Sequence, residues 1–175
     1  MKVAIDWLSD HVDLSGYSDA QLDDLLTFAG IEVEGIESIP EKVLVATIKS
    51  SEKHPDADKL SVCMVDDGSG TLRQIVCGAT NYQVGDNVPL ALPGATLGKG
   101  FHIKKGKLRG IESNGMLCSA KELGREDDSG LWILPPEYNP GKPLTDIYSA
   151  TFDLEITPNR PDCLSHLGIA RELAA

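Results

Sequence analysis

No run of apolar residues in this sequence approaches the roughly 20 that a membrane-spanning helix needs. The opening segment, MKVAIDWLSDHVD, carries one Lys and no long apolar stretch, which excludes a secretory signal. None of the four cysteines, Cys63, Cys77, Cys118 and Cys163, belongs to a CxxC pair, and three lie inside apolar runs. That pattern predicts reduced, partly buried thiols in a cytoplasmic protein rather than a disulfide framework or a zinc site. No phosphate-cradling loop is present, because GATLGKG at 94–100 has neither the spacing nor the following Ser or Thr of a P-loop. No Ser, Cys or His stands in a pattern that a nucleophile or a metal requires, so no catalytic residue and no metal ligand is expected. Aromatics make up only 5% of the chain, which disfavours base-by-base readout and favours recognition of backbone and shape.

Positive charge is also scarce, with a formal net charge of −11, but its distribution is uneven. Residues 1–38 hold one Lys against nine acids, whereas residues 39–150 hold 13 basic and 14 acidic side chains. Within the central segment Lys99, Lys104, Lys105, Lys107 and Arg109 fall in 11 residues, interleaved with Phe101 and His102. A local patch of this kind can bind phosphate on an acidic protein, because the relevant field extends only over a Debye length of ~8 Å. Aromatic and basic residues in alternation suit single-stranded nucleic acid, through stacking and phosphate contact. A solvated hairpin that merely bears lysines accounts for the segment equally well.

The 175 residues allow one or two domains. In the first segment Ser18 is a good N-cap with Gln21 three residues on, and Leu22, Leu25, Leu26 and Ala29 follow at helical spacing up to Gly30. Val3–Leu8 reads as a short structured run, and IEVEGIESI alternates as a strand. The central segment is all-β in character: 43–50, 59–66, 71–77, 87–92 and 131–134 are strand-like. Between them lie turns rich in Gly, Asn and Asp, of which DDGSG signals a hairpin. Ser119–Leu123 predicts a short helical turn capped by Ser119 with Glu122. The last segment gives a strand in FDLEI, a turn in TPNRPD, and a helix begun in LSHLGIAREL. Its uncapped end reads as a piece of a longer chain. The fold class expected is α+β: a small β-barrel over 39–150, inserted in a small α/β domain made from 1–38 and 151–175, which pack together because neither flank can bury a core alone.

Several motifs carry two readings. In HPDADKLSVC, His54, Asp56 and Asp58 alternate as three donors, yet no second cluster completes a metal site. The same segment serves as a structural turn, or as a rim loop from which Lys59 reaches phosphate. Cys77 beside His54 is better read as a small buried hydrophobe than as a nucleophile. Asn81, after Gly78 in QIVCGATN, either contacts a base or ribose or stabilises its own turn. Lys121 and Arg125 are exposed candidates for phosphate, followed by an acidic run, EDDSG, that would repel RNA.

Three stretches, HPDADKLSVCMVDDG from His54, QIVCGATN and LRGIESNGMLCSAKELG to Gly124, resemble the tRNA-binding oligonucleotide-fold module attached to several aminoacyl-tRNA synthetases. GIEVEGIES at 30–38 and DLEITPNRPDCLSHLGIAREL at 153–173 narrow the resemblance to the N-terminal part of the bacterial phenylalanyl-tRNA synthetase β subunit, over essentially the whole chain. The resemblance implies an oligonucleotide/oligosaccharide-binding barrel without catalytic groups of its own, in a cytoplasmic parent ligase that pairs with an α subunit as α2β2. It further implies tRNA as partner and ATP with Mg2+ as the parent's cofactors, neither used by these residues. Lys59, Asn81, Lys99, Phe101, Lys104, Lys105, Lys107, Arg109, Lys121 and Arg125 are the tRNA-facing candidates. Two alternatives stay open: a free-standing tRNA-binding or chaperone-like barrel, and a structural barrel that only makes subunit contacts.

Overall fold

The computed structural model describes all 175 residues except Glu126, Asp128 and the side chain of Lys99. In chain order the strands are β1 (Lys2–Ala4), β2 (Glu32–Glu37), β3 (Val43–Lys53), β4 (Ser61–Asp66), β5 (Leu72–Cys77), β6 (Asn87–Ala91), β7 (Thr96–Leu97), β8 (Phe101–His102), β9 (Gly106–Leu108), β10 (Ile111–Ser113), β11 (Met116–Leu117) and β12 (Thr151–Glu155). The α-helices are α1 (Ile5–Ser9), α2 (Asp19–Phe28) and α3 (His166–Leu173). Two compact units result: Met1–Ser38 with Ser149–Ala175, and Ile39–Tyr148. No helix among the described residues is long and apolar enough to cross a membrane.

In the first unit β12 lies between β1 and β2, antiparallel to both. Phe152 and Leu154 point inward from β12 and pack with Leu22 and Leu26 of α2 and Ile169 of α3. The start of α2 follows from Ser18, whose Oγ accepts from the Gln21 N–H while Gln21 Oε1 accepts from the Ser18 N–H at 2.9 Å. This reciprocal cap satisfies two donors that a helix start would otherwise leave open. The run from Val3 to Leu8 divides in two, Val3 entering the sheet and Leu8 the first helix. On β2 the period-two alternation slips by one at a bulge opposite Asp153 and Leu154. Val33 therefore lies opposite Leu154, and Ile36 opposite Phe152. The indole of Trp7, largely exposed, lies against His166 with ring centroids 5.0 Å apart.

The second unit is a five-stranded antiparallel sheet in the order β11-β6-β3-β4-β5, curled into a nearly closed barrel of the oligonucleotide-binding type. The long strand β3 takes both β4 and β6 as partners and bends where its register with β4 shifts between Ile48 and Ser50. Cys63 and Val65 of β4 face the core, while Val62 and Met64 take the half-buried outer side. DDGSG makes the β4–β5 hairpin, with Gly68 and Gly70 at positive φ. In it the Asp67 carboxylate, 3% exposed, takes the Arg73 guanidinium at 2.7 Å and the Ser69 N–H at 3.1 Å.

β5 and β11 are not joined by a ladder. Instead the Asn114 N–H donates to the Gln74 carbonyl at 2.9 Å, the Gln74 amide to the Glu112 carbonyl at 2.8 Å, and the Val76 N–H to Ser113 Oγ at 3.1 Å. The chain then turns through Gly115 at φ +132°, where a Cβ would stand 2.6 Å from the Ala91 carbonyl oxygen. Only glycine allows that approach. Beyond it, Met116 and Leu117 pair with Ala91 and Leu90, so they form the fifth strand. The expected strand at 131–134 does not form a ladder: it makes isolated bridges only, Leu131 to Ser119 and Leu134 to Asn87. Pro135 and Pro136 follow without N–H groups and end any continuation. Asn87 fixes the segment after them, its amide donating to the Tyr138 carbonyl at 2.8 Å and its Oδ1 accepting from Thr47 at 2.6 Å.

Two stability measurements test these assignments. Gly115→Ala should destabilise the barrel by about 3 kcal/mol in urea unfolding, from backbone strain plus an overpacked contact. Gly106→Ala, at an open site without positive φ, should be nearly neutral. Burial raises the Asp67 carboxyl, but hydrogen bonds from Ser69 and Arg73 and the Arg73 charge outweigh it and hold the group below the usual carboxylate value. A depressed folded value stabilises the fold above the unfolded pKa and is lost as pH falls through the folded one. Asp67→Asn should therefore be the less stable protein near neutrality, and its deficit should shrink as pH falls below ~4. A deficit independent of pH would contradict the ion pair's role.

Candidate nucleic-acid interface

The basic segment folds as two consecutive hairpins. β7 pairs with β8, and Ile103, 5% exposed, anchors the join by exchanging backbone hydrogen bonds with Gly94 and Ala95. β9 and β10 then form a ribbon whose residues from Lys104 to Gly110 are all exposed. Leu108 pairs with Ile111, so Arg109 and Gly110 alone make the turn, with φ of +46° and +88°. Positive φ at both positions is the type I′ hairpin turn, which favours Asn-Gly. An arginine at the first position costs about 1 kcal/mol of backbone strain that Asn would largely relieve.

Around this ribbon runs a chain of shallow clefts. Lys59 and Arg109 line one of about 450 Å³ together with Asp56, Asp58 and Leu60. Leu60 continues into a second, floored by Val76, Leu108, Met116 and Leu117. Val76, Leu108 and Met116 carry on into a third beneath Phe101, His102 and Lys104. Phe101, 57% exposed, then forms one wall of a fourth cleft with Lys121 and Glu122. The fold thus places Lys59 and Arg109 on one cleft, Phe101 and Lys104 on another, and Phe101 and Lys121 on a further one, with Asp56, Asp58 and Glu122 also in the linings. The apolar floor is not visible as a site in the sequence, because its residues come from β5, β9, β11 and the loop before β4, and each reads locally as core.

Other candidates have structural work. Asn81 uses its whole amide on Leu131, accepting from that N–H at 2.9 Å and donating to its carbonyl at 3.0 Å. The Arg125 guanidinium lies over the adjoining rings of Trp132 and Tyr148, about 5 Å from each ring centre. Lys105 stands 4.0 Å from Glu112. Lys107 lies across the ribbon from the same Glu112. The Lys99 side chain, and Glu126 and Asp128 of the acidic run, lie outside the described residues. Ser119 caps its short 3-10 turn with Glu122, the Glu122 N–H reaching Ser119 Oγ at 3.2 Å and the Ser119 N–H reaching Glu122 Oε2 at 2.7 Å.

The metal reading of His54, Asp56 and Asp58 fails on geometry. His54 is buried; its Nδ1 accepts from the Asp56 N–H at 3.1 Å, and its Nε2 faces the Leu108 carbonyl at 3.2 Å, which leaves no lone pair for an ion. Among the described residues, one trio, Asp162, Cys163 and Glu172, brings donor atoms within 4.8 Å of one another. Arg160 already occupies it, at 2.9 Å from Asp162 and 2.7 Å from Glu172. Hydrogen bonds from that guanidinium hold the Asp162 carboxyl down at about 2. The guanidinium thus takes the place a cation would fill at this trio.

The cysteines are poor nucleophiles in this setting. All four thiols are buried, and burial pushes Cys77 up to about 11 and Cys118 up to about 12. A thiol reagent near pH ~8 should label these two cysteines at least roughly a hundredfold more slowly in the folded chain than after denaturation. Fast native labelling at Cys77 would contradict the packing described.

Residues 43–143 match the family described as "Putative tRNA binding domain". Over its whole length the chain is 51% identical to the phenylalanine–tRNA ligase β subunit of Anaeromyxobacter dehalogenans and 50% identical to that of Syntrophotalea carbinolica. In both comparisons it covers 22% of the relative, so it spans between a fifth and a quarter of those proteins' length. Among solved structures, the C-terminal domain of Plasmodium vivax p43 matches over 61% of this chain and 59% of its own, with 24% identity and a TM-score of 0.45.

Proposed function

The chain belongs to the tRNA-binding-domain family, in the form carried by phenylalanine–tRNA ligase β subunits, and from that premise we propose that its barrel docks tRNA through the β9–β10 ribbon. The chemistry of charging lies outside this stretch, in a cytoplasmic ligase that uses ATP and Mg2+ and pairs this subunit with an α subunit. The observation that carries the reading is Arg109, an exposed cation held in a strained turn at the tip of a ribbon bearing Lys104, Lys105 and Lys107. Lys59, Phe101 and Lys121 extend the surface along the adjoining clefts. Lysines and arginines on phosphates position RNA without reading its bases, so affinity gained here is general among tRNAs.

A second reading, a structural barrel that never touches RNA, draws support from Asn81 and Arg125, both engaged within the barrel. Binding of labelled tRNA to the 175-residue chain across a salt series separates the two. Arg109→Asn should raise stability by about 0.5–1 kcal/mol, through relief of the turn, while weakening tRNA binding. Lys104→Ala with Lys105→Ala should weaken binding for all tRNAs and flatten the salt slope by roughly 0.7–0.9 for each phosphate no longer neutralised. Unchanged affinity and slope in both variants would leave the structural barrel as the reading.

A further inference from the structure

Four polar side chains are buried in the described structure: His54, Asp67, Asn87 and Ser113. Three have folding roles already given, since Asp67 holds Arg73, Asn87 holds the segment after Pro136, and Ser113 helps close the barrel. The ring of His54 joins two further segments that no strand ladder connects among the described residues, the loop 54–60 and the ribbon. On the loop side, Nδ1 accepts the Asp56 N–H, so that nitrogen carries no proton. The proton then sits on Nε2 and is donated to the carbonyl of Leu108, the residue immediately before Arg109. The loop itself is closed by the His54 N–H on the Leu60 carbonyl at 3.0 Å.

The placement matters because the cleft between them is not uniformly positive. Lys59 and Arg109 share it with Asp56 and Asp58, and Asp58 is paired with Lys53 at 2.8 Å. An anion gains from the cations only where they project past these carboxylates, and a tip displaced by an ångström or two changes that balance. We infer that His54 is a positioning residue, a latch that fixes the ribbon tip so that Lys59 and Arg109 act together on neighbouring phosphates of the tRNA backbone. This rests on the tRNA reading above and adds to it a named determinant of the site's geometry.

Asn and Gln separate the two bonds of the imidazole. The Asn oxygen can occupy the place of Nδ1 and accept the Asp56 N–H, as in an Asx turn, but falls short of Leu108. The longer Gln amide reaches the place of Nε2 and can donate to the Leu108 carbonyl. Hydrogen exchange and tRNA binding are measured on the whole chain for His54→Asn, His54→Gln and Arg109→Ala. In His54→Asn the amides of residues 106–111 should exchange about tenfold faster while the loop and the global unfolding midpoint are retained. Its tRNA affinity should fall about fivefold, because one phosphate is no longer well engaged, and adding Arg109→Ala should cost little more. His54→Gln should keep both ribbon protection and affinity.

Ribbon exchange unchanged in His54→Asn overturns the latch. A loosened ribbon with full tRNA affinity, when Arg109→Ala alone binds weakly, overturns the positioning role. If Arg109→Ala binds as well as the unsubstituted chain, the tRNA reading of the ribbon fails instead, and the exchange data still decide the latch. Should His54→Asn not fold, His54→Gln decides: native ribbon protection supports the latch, and its absence in a folded protein refutes it.

Discussion

The approach of Gly115 to the Ala91 carbonyl determines where the last third of the barrel can go. With a side chain there, Met116 and Leu117 could not pair with β6, and Ser113 and Asn114 could not at the same time reach β5. The barrel is closed by this one crossing rather than by a continuous ladder. Everything between Ile103 and Ser113 is thereby tethered at both ends, buried at Ile103 and hydrogen-bonded at Ser113. A basic ribbon of a few residues, which would be marginal alone, is held by these two anchors and by the His54 ring on the Leu108 carbonyl.

Local signals in the sequence were readable where the physics is local. The Ser18 cap, the DDGSG hairpin and the Ser119–Glu122 turn each depend on groups within a few residues, and each formed as the pattern predicts. The stretch 131–134 misled because β propensity describes a side chain's fit to a sheet, not whether a partner strand is free. Met116–Leu117, directly after Gly115, hold the ladder with β6 at Ala91 and Leu90, and 131–134 keeps only the bridge from Leu134 to Asn87. Arg109 could not be recognised as a turn residue, since Arg-Gly lacks the Asn-Gly signature and only the backbone angles reveal the turn. His54 looked like a possible ligand because spacing shows donors but not what their lone pairs already hold. Asn81 likewise gives its amide to a segment 50 residues away, which no window around residue 81 reports.

Charge behaves in the same way. The barrel segment is almost neutral in total, yet its charges are sorted: Asp67 faces Arg73, and Asp58 faces Lys53. Arg125 is stacked against rings. Lys104, Lys105, Lys107 and Arg109 are all exposed within six residues of the ribbon, a local run of positive charge on an acidic chain. The acidic residues 1–38 belong to the other unit.

Each unit carries one of the two tryptophans, and each indole has a different neighbour. Trp7 rests on an imidazole, His166, whose Nε2 accepts from the Ala4 N–H. Trp132 lies against Tyr148 with their ring centres 4.8 Å apart, and under the Arg125 guanidinium. The molecule is thus fitted with two optical probes in separate compartments of its structure. Replacing either indole with phenylalanine would leave emission from a single unit, so that unfolding of the mixed α/β sheet and of the barrel can be followed one at a time in the same chain.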